Sequence, residues 1–229
     1  MTAGQLTLDL GHRPALGMDD FLVTPCNREA VAWIDRWPNW PGPALAIHGP
    51  PGCGKTHLAH VFRARSAAKL IAPEALGRTE PDGLLGEARV CMLDDAGRVA
   101  GGSVWERALL HLYNVVAERQ GHLLLAARKP PGRWPVRLPD LRSRLAAVPA
   151  VSVGAPDDEL IGALLVKLFA DRQLRVGQDV VAFLLTRMER SFDAARRMVA
   201  AIDEAALAER RNITVPLVRD VLRHQDLDS

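Results

Sequence analysis

Short apolar runs alternate with longer amphipathic stretches along the first part of the chain. The apolar runs have the length and composition of buried parallel strands, and they cover 44–48, 69–72, 88–93, 122–126 and 151–153. Between them, apolar positions recur at helical spacing over 27–37, 55–68 and 105–119. Strands that alternate with helices predict an α/β fold, in which helices flank both faces of a parallel sheet.

The pattern changes near residue 156, after which no further strand is predicted. Four amphipathic helices are predicted instead, at 157–172, 178–188, 192–210 and 215–223. The start of the chain lacks helical periodicity and is rich in glycine and proline, which is typical of a flexible arm. The sequence therefore predicts three parts: an arm at 1–20, an α/β domain at 21–155 and a small all-helical domain at 156–229.

Composition narrows the class of protein without identifying its partners. The 29 basic residues barely outnumber the 27 acidic ones, so the net charge of +2 gives no bulk argument for binding nucleic acid or a membrane. Three cysteines without CxxC spacing argue against a disulfide framework and against a zinc site. No signal segment and no membrane-spanning run are recognised in the sequence. We expect a soluble protein of the cytoplasm.

The segment between the first predicted strand and the next helix has the composition of a phosphate-binding loop. Its residues are Gly49, Pro50, Pro51, Gly52, Cys53, Gly54, Lys55 and Thr56. Glycines let consecutive backbone N–H groups surround a polyphosphate, and the following helix points its positive end at the same charges. Lys55 is expected to reach the β- and γ-phosphates and Thr56 to hold Mg²⁺. The sequence predicts a site for ADP or ATP with Mg²⁺ and leaves the choice of nucleotide open.

Two acidic residues, Asp94 and Asp95, directly follow the predicted strand at 88–93. A parallel α/β sheet binds its ligand at the carboxyl ends of its strands, so Asp94 is a candidate for the magnesium shell. Asp95 is a candidate for the base that orients water. Such a pair in isolation would favour a solvated turn, but the phosphate-binding loop favours the nucleotide site.

Two arginines, Arg142 and Arg144, lie between the predicted strands at 122–126 and 151–153. A guanidinium group is always charged and matches phosphate oxygens two at a time, so either arginine is a candidate for stabilising a transferring phosphate. The other interpretation is a pair of surface arginines on a short helix. Spacing alone leaves both interpretations open.

The arm contains one specific pattern, made of Gln5, Leu6, Leu8 and Leu10. In an extended conformation the three leucines would share one face and fill an apolar groove on a partner, with the amide of Gln5 as a polar contact. The alternative is an edge strand on the protein's own sheet. Apolar residues in a terminal arm favour the partner.

Together these features resemble the AAA+ core of the DnaA-like family, and within it the Hda-type regulators. The resemblance rests on the loop and the His57-Leu58 that follows it, on Leu93-Asp94-Asp95, on Arg142-Ser143-Arg144-Leu145, and on the helical lid. It implies an AAA+ P-loop NTPase fold with a small all-helical lid. Hda-type proteins join a sliding-clamp motif to this module and lack the DNA-binding domain of DnaA. We expect the same here, because no helix-turn-helix pattern follows 213–218.

The resemblance also implies roles for individual residues. Gln5, Leu6, Leu8 and Leu10 would bind the β sliding clamp of DNA polymerase III, and any contact with DNA would pass through that clamp. The loop residues and Asp94 would hold the nucleotide. Arg144 falls where the family has its arginine finger, which acts in trans on ATP held by DnaA. The implied function is a regulator that stimulates hydrolysis of DnaA-bound ATP and so prevents re-initiation; whether the chain forms a homodimer stays open.

Three positions depart from the pattern of active AAA+ ATPases. Ala126 and Ala127 stand where a polar residue usually senses the γ-phosphate, and Asp193 stands where the lid usually supplies an arginine. An acid near phosphates would repel them. We therefore predict weak or absent ATP hydrolysis by this chain alone. Two alternatives stay open: an autonomous AAA+ ATPase such as a helicase loader, and a DnaA-like initiator or scaffold fragment.

Overall fold

A computed structural model describes residues 22–209 and 211–227. The candidate clamp-binding residues Gln5, Leu6, Leu8 and Leu10 lie outside these ranges, so their interpretation stays a prediction. The strands are β1 (Ala44–His48), β2 (Lys69–Ile71), β3 (Val90–Leu93), β4 (His122–Ala127) and β5 (Ala150–Ser152). The helices are α1 (Arg28–Asp35), α2 (Lys55–Ser66), α3 (Pro73–Leu76), α4 (Pro81–Leu85), α5 (Ser103–Glu118), α6 (Pro139–Ala147), α7 (Asp158–Asp171), α8 (Gln178–Leu185), α9 (Phe192–Glu209) and α10 (Val215–Leu227). Over the described ranges, no helix combines the length and apolarity that crossing a membrane requires.

The five strands form one parallel sheet in the order β2-β3-β4-β1-β5. β4 is inserted between β1 and β3, and its Leu125 pairs with Ala46 on one side and with Leu93 on the other. Because all strands are parallel, their carboxyl ends meet at one edge of the sheet. The predicted fold class is confirmed, and the phosphate-binding loop and the acidic pair both leave the sheet at this edge.

Each face of the sheet has its own apolar core, which explains why the strands read as continuous apolar runs. Along β1, Ala44 and Ala46 contribute to the core on one face, whereas Leu45 and Ile47 contribute to the core on the other. Residues of α5 and α6 complete the first core, and residues of α1 and α2 complete the second. The helices on both faces fix the directions in which the loops at the carboxyl edge can leave.

The C-terminal helices pack around a third apolar cluster of their own. α7, α8, α9 and α10 all contribute to it, and Ile161, Phe169 and Val199 are fully buried there. The predicted helical lid region is therefore present. The boundary at residue 156 stays a prediction, although it precedes the first residue of α7 by only a short segment.

Three short helices, α3, α4 and α6, were not predicted by the apolar pattern. α3 and α4 contain 4 and 5 residues, which is too few to establish a helical period, and α6 has 9 residues with Leu141 and Leu145 as its buried pair at helical spacing. Each begins with proline, whose fixed φ and missing N–H suit the first turn of a helix. α6 matters most for function, because it carries Arg142 and Arg144.

Candidate functional site

The phosphate-binding loop leaves β1 after His48 and ends where α2 begins at Lys55. Gly52 and Gly54 have φ values of +68° and +94°, a region that glycine enters without the steric cost of a Cβ atom. A Cβ atom on Gly49 would lie 2.1 Å from the carbonyl oxygen of Val153, which directly follows β5. The loop therefore passes too close to this backbone for any side chain at Gly49. Its glycines are required by the backbone path, whatever the loop binds.

The structure brings the loop and the first acidic residue together. The Thr56 hydroxyl donates a hydrogen bond of 2.9 Å to Asp94 Oδ2, although the two residues lie 38 positions apart in the chain. The second oxygen, Asp94 Oδ1, accepts the backbone N–H of Asp95 at 2.9 Å. Lys55 Nζ donates to the carbonyl oxygen of Pro50 at 2.7 Å, so its charge lies over the loop itself. The predicted lysine, hydroxyl and carboxylate thus converge at the carboxyl edge of the sheet.

These groups have the chemistry that a nucleotide with Mg²⁺ requires. Hydroxyl and carboxylate oxygens are the ligands that Mg²⁺ prefers, and it usually binds through few protein groups together with substrate phosphates. Within the described residues no group of three or more His, Cys, Asp or Glu could hold a metal on its own. The residues present fit a metal held jointly by a nucleotide, with Thr56 and Asp94 as the protein side of the site.

The helical lid touches the same loop through Ser191 and Phe192, two residues to which the sequence analysis gave no role. The backbone N–H of Phe192 lies 3.4 Å from the carbonyl oxygen of Gly52 and donates to it. A Cβ atom on Gly54 would lie 3.1 Å from the Phe192 ring, and one on Gly52 would lie 2.9 Å from Ser191 Cβ. The start of α9 therefore closes over the loop, and the glycines also make room for the lid.

A surface ion pair braces the segment that leads to this contact. Arg190 donates from Nε to Asp158 Oδ1 at 2.6 Å and from a terminal nitrogen to Asp158 Oδ2 at 3.2 Å. The hydrogen bonds from Arg190 hold the pKa of Asp158 below its usual range. Because Asp158 opens α7, the pair ties that helix to the turn carrying Ser191.

A cavity of about 460 Å³ lies beside the acidic pair. Asp95 lines it together with four basic residues, which are Arg98, Arg128, Lys129 and Arg133. Asp95 itself has a φ of +50°, a left-handed conformation that is uncommon for residues other than glycine. The structure thus places Asp95 at the open side of the site, where its neighbours are mainly cations.

His48 is the last residue of β1 and directly precedes the phosphate-binding loop. Burial lowers the pKa of His48 below its ordinary value of 6.5, and the charges of Arg133 and Lys55 lower it further. The imidazole is therefore neutral at neutral pH.

The three positions that depart from active ATPases are placed as follows. Ala126 and Ala127 are buried in β4, and neither side chain offers a polar group. The residue after them, Arg128, lines the basic cavity instead. Asp193 is exposed in the first turn of α9 and pairs with Arg196 at 3.7 Å.

Arg144 lies apart from these groups, on α6. Leu141 and Leu145 are buried, with 0% and 2% exposure, and they anchor one face of the helix. Arg142 and Arg144 are exposed and flank the buried face on opposite sides, since residues two positions apart on a helix do not face the same way. The Arg144 guanidinium lies 5.8 Å from the centre of the Tyr113 ring. Among the described residues Arg144 forms no ion pair. The short helix of the simpler interpretation is real, and the arginine on it carries a charge without an acidic partner there.

Known proteins resemble this chain in sequence over much of its length. A sequence model of the family described as "Hda, lid domain" matches residues 157–222. An uncharacterized protein of Haemophilus influenzae is 30% identical over 189 residues, which cover 79% of this chain and 81% of that protein.

Two solved structures share the fold over most of the chain. Domain III of the replication initiation protein DnaA from Thermotoga maritima aligns with a TM-score of 0.78 and 16% identity, covering 89% of this chain and 94% of that one. AMPPCP-bound DnaA from Aquifex aeolicus aligns with a TM-score of 0.68 and 17% identity, covering 83% of this chain and 66% of that one. The fold is that of AAA+ proteins of the DnaA type.

Proposed function

Because this chain belongs to the Hda/DnaA-like AAA+ proteins, we propose that it regulates the initiation of chromosomal replication by stimulating hydrolysis of ATP held by DnaA. Arg144 acts as the arginine finger, in trans, on that ATP. The observation that carries this proposal is the exposed Arg144 guanidinium, which has no acidic partner among the described residues and rests on Tyr113. Reset to its ADP form, DnaA would no longer start replication.

The physical basis is charge stabilisation at the transferring phosphate. A guanidinium group supplied in trans neutralises charge that develops on the phosphate oxygens, and such a group contributes about 10³–10⁵ in rate. Insertion of this kind requires a cation that does not have to break an ion pair first. It also requires a firm base, which the buried Leu141 and Leu145 give to α6.

The protein's own nucleotide has a structural role in this proposal. The loop residues 49–56 and Asp94 hold ADP or ATP with Mg²⁺, and the nucleotide stabilises the folded chain by mass action. The AMPPCP bound to the DnaA of Aquifex aeolicus supports nucleotide binding in this fold. Ala126, Ala127 and Asp193 offer little help to hydrolysis, so we expect the chain to turn over its own ATP slowly or not at all.

Recruitment is assigned to the arm. Gln5, Leu6, Leu8 and Leu10 bind the β sliding clamp of DNA polymerase III, which brings Arg144 to DnaA on replicated DNA. This part of the proposal rests on the sequence pattern alone. It places the protein in the cytoplasm, with DNA contacted through the clamp.

The test measures hydrolysis of radiolabelled ATP bound to DnaA, in the presence of clamp-loaded DNA. The wild type is compared with Arg144→Ala, with the matched control Arg142→Ala, an exposed arginine on another side of the same helix, and with the arm variant Gln5→Ala/Leu6→Ala. We expect stimulation by the wild type and by Arg142→Ala, and its loss in the other two. Equal stimulation by Arg144→Ala would overturn the arginine finger.

The same assay without DnaA separates this function from that of an autonomous ATPase. We expect no turnover above background by the chain alone. Clear turnover that disappears in Asp95→Ala would show that the chain is itself the hydrolase, and the role of Arg144 would then have to be reconsidered.

A further inference from the structure

One carboxylate is buried in the described part of the chain, and it belongs to Glu106 on α5. Its side chain is 1% exposed. Its oxygens form no ion pair with the described cations; they accept backbone N–H groups instead. Oε1 accepts from Gly101 at 2.7 Å, and Oε2 accepts from Leu138 at 2.9 Å and from Arg137 at 3.1 Å. A buried charge of this kind is costly unless such bonds compensate it, so the site is built to hold an anion.

The three backbone donors belong to two separate segments of the chain. Gly101 ends the segment that begins at Asp95 and runs along one wall of the basic cavity. Arg137 and Leu138 directly precede Pro139, the first residue of α6. Glu106 therefore joins the segment leaving the acidic pair to the segment entering the helix of Arg144.

The bond to Leu138 satisfies one of the unpaired N–H groups at the start of α6. Leu138 occupies the N-cap position of α6, and a leucine side chain cannot accept a hydrogen bond from the first turn. The Glu106 carboxylate lies at this end instead, where the helix carries partial positive charge. Glu106 thus holds the first residues of α6, while the buried Leu141 and Leu145 hold the rest of the helix.

The face of α5 that carries Glu106 also carries Tyr113, whose ring contacts the Arg144 guanidinium. Tyr113 follows Glu106 by seven positions, which is two helical turns, so both side chains project from one side of α5. Glu106 holds the residues that start α6, and the Tyr113 ring lies 5.8 Å from the Arg144 guanidinium. α5 thus contacts the segment 137–144 at both ends.

We propose that Glu106 is a positioning residue for Arg144: its carboxylate anchors the start of α6 on α5 and so sets the place from which the guanidinium reaches a partner's nucleotide. This inference rests on the proposed function for its consequence in catalysis. The anchoring itself does not depend on that function and is tested separately.

The first measurement is amide hydrogen exchange of the full chain, comparing Glu106→Ala with the wild type. We expect faster exchange at Arg137, at Leu138 and through α6, with unchanged protection in the helical lid. The matched control is Glu118→Ala, an exposed glutamate at the other end of α5, which should change nothing in α6. Unchanged exchange at 137–147 in Glu106→Ala would overturn the proposal, whatever happens with DnaA.

The second measurement is DnaA-bound ATP hydrolysis with clamp-loaded DNA. A small displacement of a catalytic group costs up to about 10²-fold in rate, so we expect Glu106→Ala to lower the maximal stimulated rate about ten- to hundredfold. The protein concentration for half-maximal stimulation should stay unchanged, and Glu106→Gln, which keeps an acceptor oxygen, should recover part of the rate. Glu106→Ala/Arg144→Ala should be no slower than Arg144→Ala alone.

Each outcome separates the two proposals. If the wild type does not stimulate DnaA, the proposed function fails while the exchange result still decides the anchoring. If Arg144→Ala is inactive but Glu106→Ala stimulates fully, the finger stands and Glu106 is only a structural residue. A higher half-maximal concentration with an unchanged maximal rate would likewise overturn positioning, since it would indicate weaker docking instead.

Discussion

The phosphate-binding loop and α6 lie in the same domain but differ in the surroundings of their charged side chains. In the loop, Lys55 bonds to the carbonyl of Pro50 and Thr56 bonds to Asp94, while Phe192 closes over Gly54. On α6, Arg144 is exposed and has no acidic partner among the described residues. The loop gathers its polar groups around one place, whereas α6 leaves its cation exposed.

The difference separates what nucleotide binding requires from what the proposed action on a second protein requires. Enclosing a nucleotide needs glycines in the loop, polar groups that converge on it and a lid that covers it, and all three are present at this loop. Action on a second protein needs a charge held at a fixed place on a rigid base. The two requirements are met by separate elements, α2 with β3 in one case and α6 with α5 in the other, so changes to one should leave the other intact.

The largest expected effect is the loss of stability caused by Leu141→Ala, which removes a buried side chain that holds α6 on the domain. Leu141 is fully buried, and truncating a buried leucine to alanine costs about 2–5 kcal/mol of the free energy of unfolding. The exposed Ser143 on the same helix serves as the control, since Ser143→Ala should change stability by less than about 0.5 kcal/mol. Urea unfolding measures both. A loss below about 1 kcal/mol for Leu141→Ala would show that α6 is not firmly packed.

A second variant sharpens the separation between the two elements. Lys55→Ala removes a charge-assisted bond to phosphate, worth about 1.5–3 kcal/mol, and should weaken nucleotide binding about ten- to hundredfold. Arg144→Ala should leave that affinity unchanged, because it lies on a different element. Calorimetric titration with ADP and with ATP checks both. Weaker nucleotide binding in Arg144→Ala would show that the arginine faces the protein's own site.

The smallest expected effect concerns the neutral imidazole of His48. Its pKa is lowered in the folded state, so below about pH 6.5 the unfolded chain binds more protons than the folded one. Stability should therefore fall as pH drops from about 6.5 toward the lower folded pKa, and level off below it. Burial also lowers the pKa of His122, so the wild type is compared with His48→Gln and with the double variant that adds His122→Gln. If all three proteins lost the same stability at acid pH, the loss would not come from His48 or His122.

The sequence predicted the strands, the long helices and the glycine loop well, because each has a local signature. It left α6 as one of two open interpretations, because the helix is short, starts at a proline and has only Leu141 and Leu145 as a buried pair at helical spacing. It also gave Glu106 no role, although Glu106 shares a helix face with Leu109 and Leu112, and an acid on an apolar face is a signal for a buried carboxylate. The family resemblance placed Asp193 near the phosphates, but no local pattern indicated that its neighbours Ser191 and Phe192 contact the loop backbone, since that contact joins two separate cores.

What the sequence determined by itself is what neighbouring residues decide: the alternation of strand and helix, and a loop whose φ values require glycine at 52 and 54. Tertiary structure alone decided that Thr56 meets Asp94 and that Glu106 meets Leu138, pairs separated by 38 and 32 positions. Such pairs depend on the strand order β2-β3-β4-β1-β5, which brings distant segments to one edge of the sheet. Local propensity carries no information on that order, because it arises from how the helices cover the two faces of the whole sheet.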